Sequence, residues 1–208
     1  MMKLKAIFGI TLLSAITGAV IASLATSNLI NAKKPTAQDL IMDFYQTENA
    51  VHVSPHSVRK KMDVGETNYI LVDVRSPQEY ENEHIIGAIN IPAYKDPNTS
   101  ISIESEKEEK DRIINSFREL GSEKEIIVYC YSMPCMTGRK IGKLLSENNI
   151  YVKALGIGWN EWRYNWDLWN HNSETPTKVE DYISSGKEPG KPNIKNVFSP
   201  CKVGELGC

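Results

Sequence analysis

The stretch that decides the fold is residues 126–139, which begins Ile126-Ile-Val-Tyr-Cys130 and continues Tyr-Ser-Met-Pro-Cys135-Met-Thr137-Gly-Arg139. Four apolar or aromatic residues in a row, three of them β-branched, predict a short buried strand. From Thr137 to about residue 148 the apolar residues recur at helical spacing, which predicts a helix. We therefore expect Cys130 where the strand stops, with loop N–H groups and the helix N-terminus facing its sulfur. Such a position favours a thiolate, so Cys130 is either a nucleophile or a small buried residue that ends a core strand.

The composition is that of a globular chain without a nucleic-acid-binding surface. Its 208 residues suit one domain of ordinary size plus appendages. Hydrophobic residues make up 41% and charged residues 24%, which excludes a disordered chain. The formal net charge is −2, and no basic stripe is interleaved with aromatic residues. Nucleic acid is therefore not an expected partner.

The N-terminus predicts export. Lys3 and Lys5 precede residues 6–30, which carry no charge and are rich in Leu, Ile, Ala and Gly. This segment exceeds the roughly 20 apolar residues that span a bilayer, and Ser23-Leu-Ala25 also offers the small residues of a signal-peptide cleavage site. Residues 1–32 are thus a signal peptide or a membrane anchor, and their length favours an anchor in the inner membrane through residues 6–30. The remainder would then be periplasmic or otherwise extracytoplasmic.

Beyond this segment, short apolar strands alternate with helical patterns. Residues 33–49 predict a linker and a short helix, and residues 50–170 a domain that contains the apolar strand Tyr69–Val74. From about residue 171 the chain is polar and rich in Pro, Gly and Lys, which predicts an extended tail over residues 171–208. The alternation predicts an α/β fold with a central, mainly parallel sheet flanked by helices, preceded by the N-terminal hydrophobic helix.

The four cysteines are Cys130, Cys135, Cys201 and Cys208. In an oxidising compartment they allow three pairings, and the sequence does not choose among them. A disulfide between Cys201 and Cys208 is the pairing that leaves Cys130 and Cys135 free for chemistry. The spacings are not those of a zinc site, and no His lies near either pair, so neither a metal nor another cofactor is predicted.

Several motifs in order resemble the rhodanese domain over roughly residues 50–165. They are Asp73-Val-Arg75, Glu79-Tyr80, His84-Ile85, Gly87-Ala-Ile-Asn-Ile-Pro92, Val128-Tyr-Cys130, and Leu155-Gly-Ile-Gly158 with Trp162. The resemblance implies a parallel sheet whose central strand ends in a nucleophilic Cys. That Cys takes up sulfur as a persulfide and passes it to a thiol or cyanide acceptor. By position it is Cys130.

The loop from Cys130 to Met136 has seven residues, one more than is common in this family. The active-site loops of the phosphatase and arsenate-reductase relatives resemble the pattern Cys-x5-Arg, in which the Arg binds an oxyanion. In this chain Met136 occupies the position of that Arg. Arg139 lies further on, inside the predicted helix, where we expect it to point elsewhere, and Pro134 removes one backbone donor. The loop therefore disfavours a phosphatase, and its lack of basic residues also disfavours thiosulfate as the donor.

We thus expect a sulfurtransferase-like protein of the cell envelope that takes sulfur from a small donor and passes it to a thiol acceptor. Besides the cysteines, the substrate- or anion-binding loop comprises Tyr131, Ser132, Met133, Pro134, Met136 and Thr137. Cys135 either resolves a persulfide on Cys130 or packs at the helix start. Asp73, Arg75 and His84 are expected to be structural residues near the site. The alternatives are a thiol–disulfide oxidoreductase that uses Cys130 and Cys135, and a non-catalytic binding module.

Overall fold

A computed structural model describes residues 16–23, 34–99, 107–170 and 177–195. Contacts divide the chain into two units, Met1–Gln46 and Thr47–Cys208. Within the predicted N-terminal segment, residues 16–23 are helical, and the rest of residues 6–30 lies outside the described residues. In the described part of the chain, no helix is both long enough and apolar enough to span a bilayer. The signal or anchor stays a prediction.

Short strands alternate with helices, as the sequence predicts. In chain order the elements are α1 Ala37–Val51, β1 His52–Val53, α2 Pro55–Asp63, β2 Tyr69–Asp73, α3 Pro77–Asn82, β3 His84–Ile85, β4 Ile89–Asn90, α4 Lys107–Glu119, β5 Glu125–Tyr129, α5 Met136–Ser146, β6 Lys153–Leu155, α6 Trp159–Tyr164, α7 Trp166–Trp169, a 3₁₀ helix Val179–Tyr182, and β7 Ile183–Ser184.

The main sheet has five strands in the order β1-β6-β5-β2-β4, and all its strand pairs are parallel. The strand β5 lies at the centre, with β2 beside it in a register that places Tyr69 opposite Glu125 and Asp73 opposite Tyr129. A second sheet consists of β3 and β7, which pair antiparallel. The predicted α/β fold with a mainly parallel sheet and flanking helices is confirmed.

Successive residues of a strand face opposite sides of the sheet, and both sides are covered here. On one side, Leu71, Ile127 and Tyr129 pack against residues of α2, α6 and α7. On the other side, Val72 and Val128 pack under α4 and α5. The near-continuous apolar runs of β2 and β5 follow from this double burial. Cys130 comes directly after the centre strand and packs in the layer under α4 and α5.

The C-terminal part departs from the prediction of an extended tail. Tyr182 is buried, and its hydroxyl donates to Asp63 Oδ1 at 2.6 Å, while Trp162 Nε1 donates to the Tyr182 carbonyl at 3.2 Å. The strand β7 also pairs with β3, with Ser184 opposite His84. For residues 177–195 the predicted tail is thus wrong, because a few apolar side chains in a polar stretch supply the contacts. Cys201 and Cys208 lie outside the described residues, so their pairing stays a prediction.

Candidate functional site

Two thiols meet in the loop that joins β5 to α5. Cys130 follows the last residue of β5 and is 5% exposed. Cys135 is the N-cap residue of α5 and is half-buried; the helix begins at Met136, one residue before the predicted start. Neither thiol is in a disulfide, and both line the same small cavity. The loop therefore brings both sequence-predicted thiols to one place.

The two sulfurs share a proton unequally. The hydrogen bond to Cys135 and burial raise the pKa of the Cys130 thiol. The same hydrogen bond, donated by Cys130, lowers the pKa of Cys135 to about 5, against the opposing effect of burial. The expected lowering of the Cys130 pKa is therefore wrong for the resting pair. The thiol whose pKa is lowered is thus the more exposed one, at the helix N-terminus, and the thiol whose pKa is raised is the buried one.

Only part of the loop backbone faces the sulfurs. The Tyr131 N–H and the Thr137 hydroxyl both interact with Cys130 and Cys135 and favour a negative charge on them. The Met133 N–H instead donates to Glu161 Oε2 at 3.2 Å, and the Cys135 N–H donates to the Ser132 carbonyl at 3.0 Å. The predicted ring of N–H donors from Tyr131 to Met136 is thus incomplete, because the loop uses two of them to hold its own shape.

The turn before α6 supports the loop. The Trp159 N–H donates to the Cys130 carbonyl and the Asn160 N–H to the Tyr131 carbonyl, both at 2.8 Å. Glu161 accepts from the Gly158 N–H at 2.9 Å as well as from the loop. A Cβ at Gly158 would lie 2.2 Å from the Ser132 backbone nitrogen, so only glycine allows this close approach.

Arg139 turns back toward the loop instead of pointing away. Its Nη1 donates to the carbonyls of Met133 at 3.1 Å and Cys135 at 3.4 Å. The guanidinium therefore holds the loop from its exposed rim and is engaged with carbonyls. Met136 stands where an oxyanion-binding Arg would be, and its side chain is exposed. This geometry agrees with the sequence argument against a phosphatase.

Asp73 and Arg75 form a buried ion pair at the end of β2. Arg75 Nη2 lies 2.7 Å from Asp73 Oδ2, which also accepts from the Tyr129 hydroxyl at 2.7 Å. The Arg75 guanidinium lies over the Trp159 ring, 4.5 Å from its centroid. This network ties β2, β5 and α6 together beside the loop. His84 is buried on β3, where its Nδ1 lies 2.7 Å from the Tyr80 carbonyl.

Sequence reasoning missed Tyr94. The Tyr94 hydroxyl hydrogen-bonds to Thr137 Oγ1, and its ring meets the Tyr131 ring edge-on at a centroid distance of 5.6 Å. The Tyr131 hydroxyl donates to Glu79 Oε2 at 2.6 Å. Tyr94 follows β4 in a polar stretch without periodicity, so no pattern marked it. The support from Glu161 could have been found, since Gly158 and Glu161 have the spacing of a helix start.

Two spaces adjoin the thiols. A cavity of about 30 Å³ is lined by Cys130, Cys135 and residues of the loop, of α5 and of β6, and it has room for one atom the size of a water molecule. A groove of about 330 Å³ between α5 and β6 shares five lining residues with it. Among the described residues that line this groove there are three basic side chains, Arg139, Lys143 and Lys153, and no carboxylate. Lys143 and Lys153 each have an acidic partner outside the lining, at 3.8 Å and 2.8 Å.

In the part of the chain that the structure describes, no three His, Cys, Asp or Glu residues are grouped to hold a metal ion.

Comparisons with known proteins place the chain in a family. The family of rhodanese-like domains matches residues 54–165, more than half of the chain. An HTH-type transcriptional regulator of Mycobacterium tuberculosis is 32% identical over 104 residues, which are 50% of this chain and 38% of that protein. The chain thus spans well under half of that relative's length.

Solved structures with a similar fold include a Bacillus halodurans protein and a Saccharomyces cerevisiae homolog of single-domain rhodanese and of the Cdc25 phosphatase catalytic domain. The first is 23% identical with a TM-score of 0.47, and the match covers 62% of this chain and 82% of that one. The second is 14% identical with a TM-score of 0.44, and the match covers 65% of this chain and 88% of that one.

Proposed function

Because this chain belongs to the rhodanese-like domain family, we propose that it transfers sulfane sulfur, with Cys130 as the nucleophile and Cys135 as its proton acceptor. The observation that carries the proposal is the pair of thiols, Cys130 and Cys135, that line one cavity at the end of the central strand. A negative charge on Cys135 next to a protonated Cys130 supplies a general base within reach of the thiol that must ionise.

In the first step Cys130 Sγ attacks the sulfane sulfur of a small donor while its proton moves to Cys135 Sγ. A sulfur–sulfur bond forms, the bond between the sulfane sulfur and the rest of the donor breaks, and that remainder leaves with the electron pair. The product is a Cys130 persulfide with a negative outer sulfur and a Cys135 thiol that can donate to it. The cavity of about 30 Å³ beside the two sulfurs has room for the added atom.

In the second step a thiolate acceptor attacks the outer sulfur and carries it away as a persulfide. Cys130 leaves as a thiolate and takes its proton back from Cys135, which restores the resting pair. The adjoining groove supplies a route for the acceptor, and its basic rim suits a small thiol that bears a carboxylate. Such an acceptor would bind beside the loop, with its sulfur directed to the cavity.

Cys135 also offers a second outcome, in which it resolves the persulfide. Its thiolate would attack the inner sulfur of the Cys130 persulfide, forming a Cys130–Cys135 disulfide and releasing hydrosulfide, and a reducing thiol would then be needed to restore the site. The cavity that both cysteines line supports this step as well. Cys135→Ser separates the two outcomes, because only the resolving route loses its disulfide and its hydrosulfide.

The test is sulfur loading of the full chain, reduced and then mixed with thiosulfate, polysulfide or the persulfide of a small thiol. Intact mass should show one added sulfur on the wild type or, if Cys135 resolves it, hydrosulfide release with an internal disulfide. Cys130→Ser should show neither. A Cys130→Ser chain that takes up sulfur at the same site as fast as the wild type would contradict the proposal.

A second candidate function, thiol–disulfide exchange, is favoured by the pKa of Cys135. A half-exposed thiol with a pKa of about 5 is a ready leaving group and stays ionised at neutral pH. In this function Cys130 and Cys135 would pass electrons between a dithiol and a partner disulfide with no sulfur transferred. A redox titration that yields a reversible Cys130–Cys135 disulfide, with no donor adding sulfur, would select it. If both thiols stay inert, a non-catalytic binding module is the remaining function.

We further propose that the chain acts at the cell envelope, outside the cytoplasm, tethered by its N-terminal segment. The support is the sequence of residues 1–32, with two Lys before a long uncharged apolar stretch. Fractionation of cells that carry the full chain tests this proposal. Recovery in the cytoplasmic fraction would contradict it.

A further inference from the structure

One peptide unit of the cysteine loop is fixed at both of its ends. The Met133 N–H donates to Glu161 Oε2 at 3.2 Å. The carbonyl of the same unit, which belongs to Ser132, accepts from the Cys135 N–H at 3.0 Å. Met133 lines the small cavity together with both thiols, whereas Glu161 is not one of the residues that line it. The carboxylate therefore holds this N–H toward a partner outside the cavity.

The turn before α6 keeps Glu161 against the loop. Its Oε2 also accepts from the Gly158 N–H at 2.9 Å, so one carboxylate oxygen receives two backbone hydrogen bonds. The Trp159 N–H of the same turn donates to the Cys130 carbonyl at 2.8 Å, which joins the turn to the residue of the nucleophile. Backbone N–H groups of such a loop are the donors that could hold an anion. On Met133 that place is filled by a carboxylate of the chain itself.

We propose that Glu161 is a specificity-determining residue of sulfur loading, which selects against donors that carry an anionic group next to the sulfane sulfur. This inference rests on the proposed function, because it names the class of donor that the same site accepts. Thiosulfate is disfavoured, since its sulfonate group lies beside the sulfur that is transferred. The persulfide of mercaptoethanol is favoured, since its remainder is uncharged. In either case the sulfane sulfur bonds to Cys130, and sulfite or the mercaptoethanol thiolate leaves with the electron pair.

Two effects of Glu161 act in the same direction. The first is that the Met133 N–H is already engaged, so it does not stabilise an anion that approaches the thiols. The second is Coulomb repulsion. A unit negative charge about 8 Å from a carboxylate is disfavoured about fivefold at an effective dielectric constant of about 40, and a dianion about 25-fold. A donor with one charge or none is therefore loaded in preference to a dianion.

The other charged side chains that reach the loop have different partners. Arg139 Nη1 donates to loop carbonyls at 3.1 and 3.4 Å, and Glu79 Oε2 accepts from the Tyr131 hydroxyl at 2.6 Å. Arg139 also lines the groove between α5 and β6. A carboxylate on the far part of an acceptor can thus meet the basic rim of the groove, while Glu161 acts on the group beside the reacting sulfur.

The test is the selectivity of Cys135, the more exposed thiol, between a charged and an uncharged alkylating reagent in the full chain. Iodoacetate and iodoacetamide have the same leaving group, so the ratio of their rates cancels any change in the reactivity of the sulfur. Glu161→Gln keeps an oxygen that accepts hydrogen bonds and removes the charge. It should raise the ratio of iodoacetate to iodoacetamide about fivefold at low ionic strength, and the rise should shrink in about 1 M salt.

Two further variants separate the charge of Glu161 from its structural role. Glu161→Asp keeps the charge on a shorter side chain, so it disturbs the hydrogen bonds but should leave the ratio within about twofold of the wild type. Glu83→Gln removes a carboxylate that pairs with Arg163 of the same helix α6 at 3.0 Å, and it should leave the ratio unchanged. An unmoved ratio in Glu161→Gln, or an equal rise in Glu83→Gln, would overturn the inference.

Sulfur loading then tests the class of donor. Loading from thiosulfate should rise about 25-fold in Glu161→Gln, whereas loading from the persulfide of mercaptoethanol, which carries at most one charge, should rise by no more than about fivefold. Equal gains for the two donors would overturn the inference. Because alkylation needs no sulfur donor, a chain that accepts no sulfur but shows the predicted ratios would refute sulfur transfer and keep Glu161 as the residue that disfavours anions at the loop.

Discussion

Gly158→Ala is the substitution that most sharply tests the support of the cysteine loop. An added Cβ would lie 2.2 Å from the Ser132 nitrogen, 2.3 Å from the Ser132 Cα and 2.5 Å from the Tyr131 carbonyl carbon. All three are backbone atoms, so no side-chain rotation relieves the overlap. Since ordinary contact begins near 3.4 Å, the turn and the loop must separate by about 1 Å.

That displacement sets the expected magnitudes. The Cys130 and Tyr131 carbonyls each accept a 2.8 Å hydrogen bond from the turn, and both bonds would be stretched or lost. Overpacking of this kind lowers the free energy of unfolding by about 1–3 kcal/mol. Misplacement of the reacting sulfur by about 1 Å lowers the rate of sulfur loading by about 100-fold.

The assay is single-turnover sulfur loading followed by intact mass, with denaturant unfolding on the same samples. Gly156→Ala is the matched control in the wall of the same cavity. Its Cβ would meet the Val53 carbonyl oxygen at 3.3 Å and Pro55 at 3.9 Å but no atom of the cysteine loop within 4 Å, so it needs a shift of only a few tenths of an ångström. Gly158→Ala that loads sulfur and unfolds like the wild type would refute the claim that this turn holds the loop.

Three further predictions follow from the same geometry. Alkylation of Cys135 should slow as the pH falls through about 5, because the thiolate becomes protonated. In Cys130→Ala the pH midpoint of this alkylation should rise toward the ordinary value of 9.0. An unmoved midpoint would contradict the effect of Cys130 on the pKa of Cys135. Gly142→Leu should fill the groove between α5 and β6 and slow sulfur transfer to a small thiol by about tenfold, without slowing the loading of sulfur onto Cys130. Gly142→Ala, whose Cβ meets only Val152 at 3.9 Å, should have little effect. Equal transfer rates in both variants would place the acceptor elsewhere. Tyr182→Ala should lower the free energy of unfolding by about 3–5 kcal/mol. Leu168→Ala, which removes a side chain that is 78% exposed, should change it by less than about 0.5 kcal/mol. Denaturant unfolding that shows no difference between the two variants would mean that the C-terminal part is not packed as described.

The central strand and the position of Cys130 were predictable because they depend on local pattern. A run of β-branched residues followed by a helical period marks the end of β5, and Pro77 with the Ser76 and Glu79 capping pair marks the start of α3. These signals come from hydrogen bonds and burial within a few residues of chain.

The charge on the thiol pair could not be predicted in the same way. It depends on the approach of Cys130 and Cys135 and on their unequal burial, which a short loop can arrange in several ways. Tyr94 was missed because its contact with Thr137 joins distant segments, and Tyr182 because one buried aromatic in a polar stretch leaves no period. What escapes the sequence here is long-range contact made by single side chains.

The most direct test of sulfur transfer is the position of the sulfur that the chain takes up. The full chain, reduced and offered a sulfane donor, would be alkylated and digested, and each cysteine-containing peptide weighed. We predict the added sulfur on the Cys130 peptide, and its loss to a thiol acceptor added before alkylation. Sulfur found on Cys135 but not on Cys130, or on neither while both thiols alkylate normally, would contradict Cys130 as the sulfur-carrying residue.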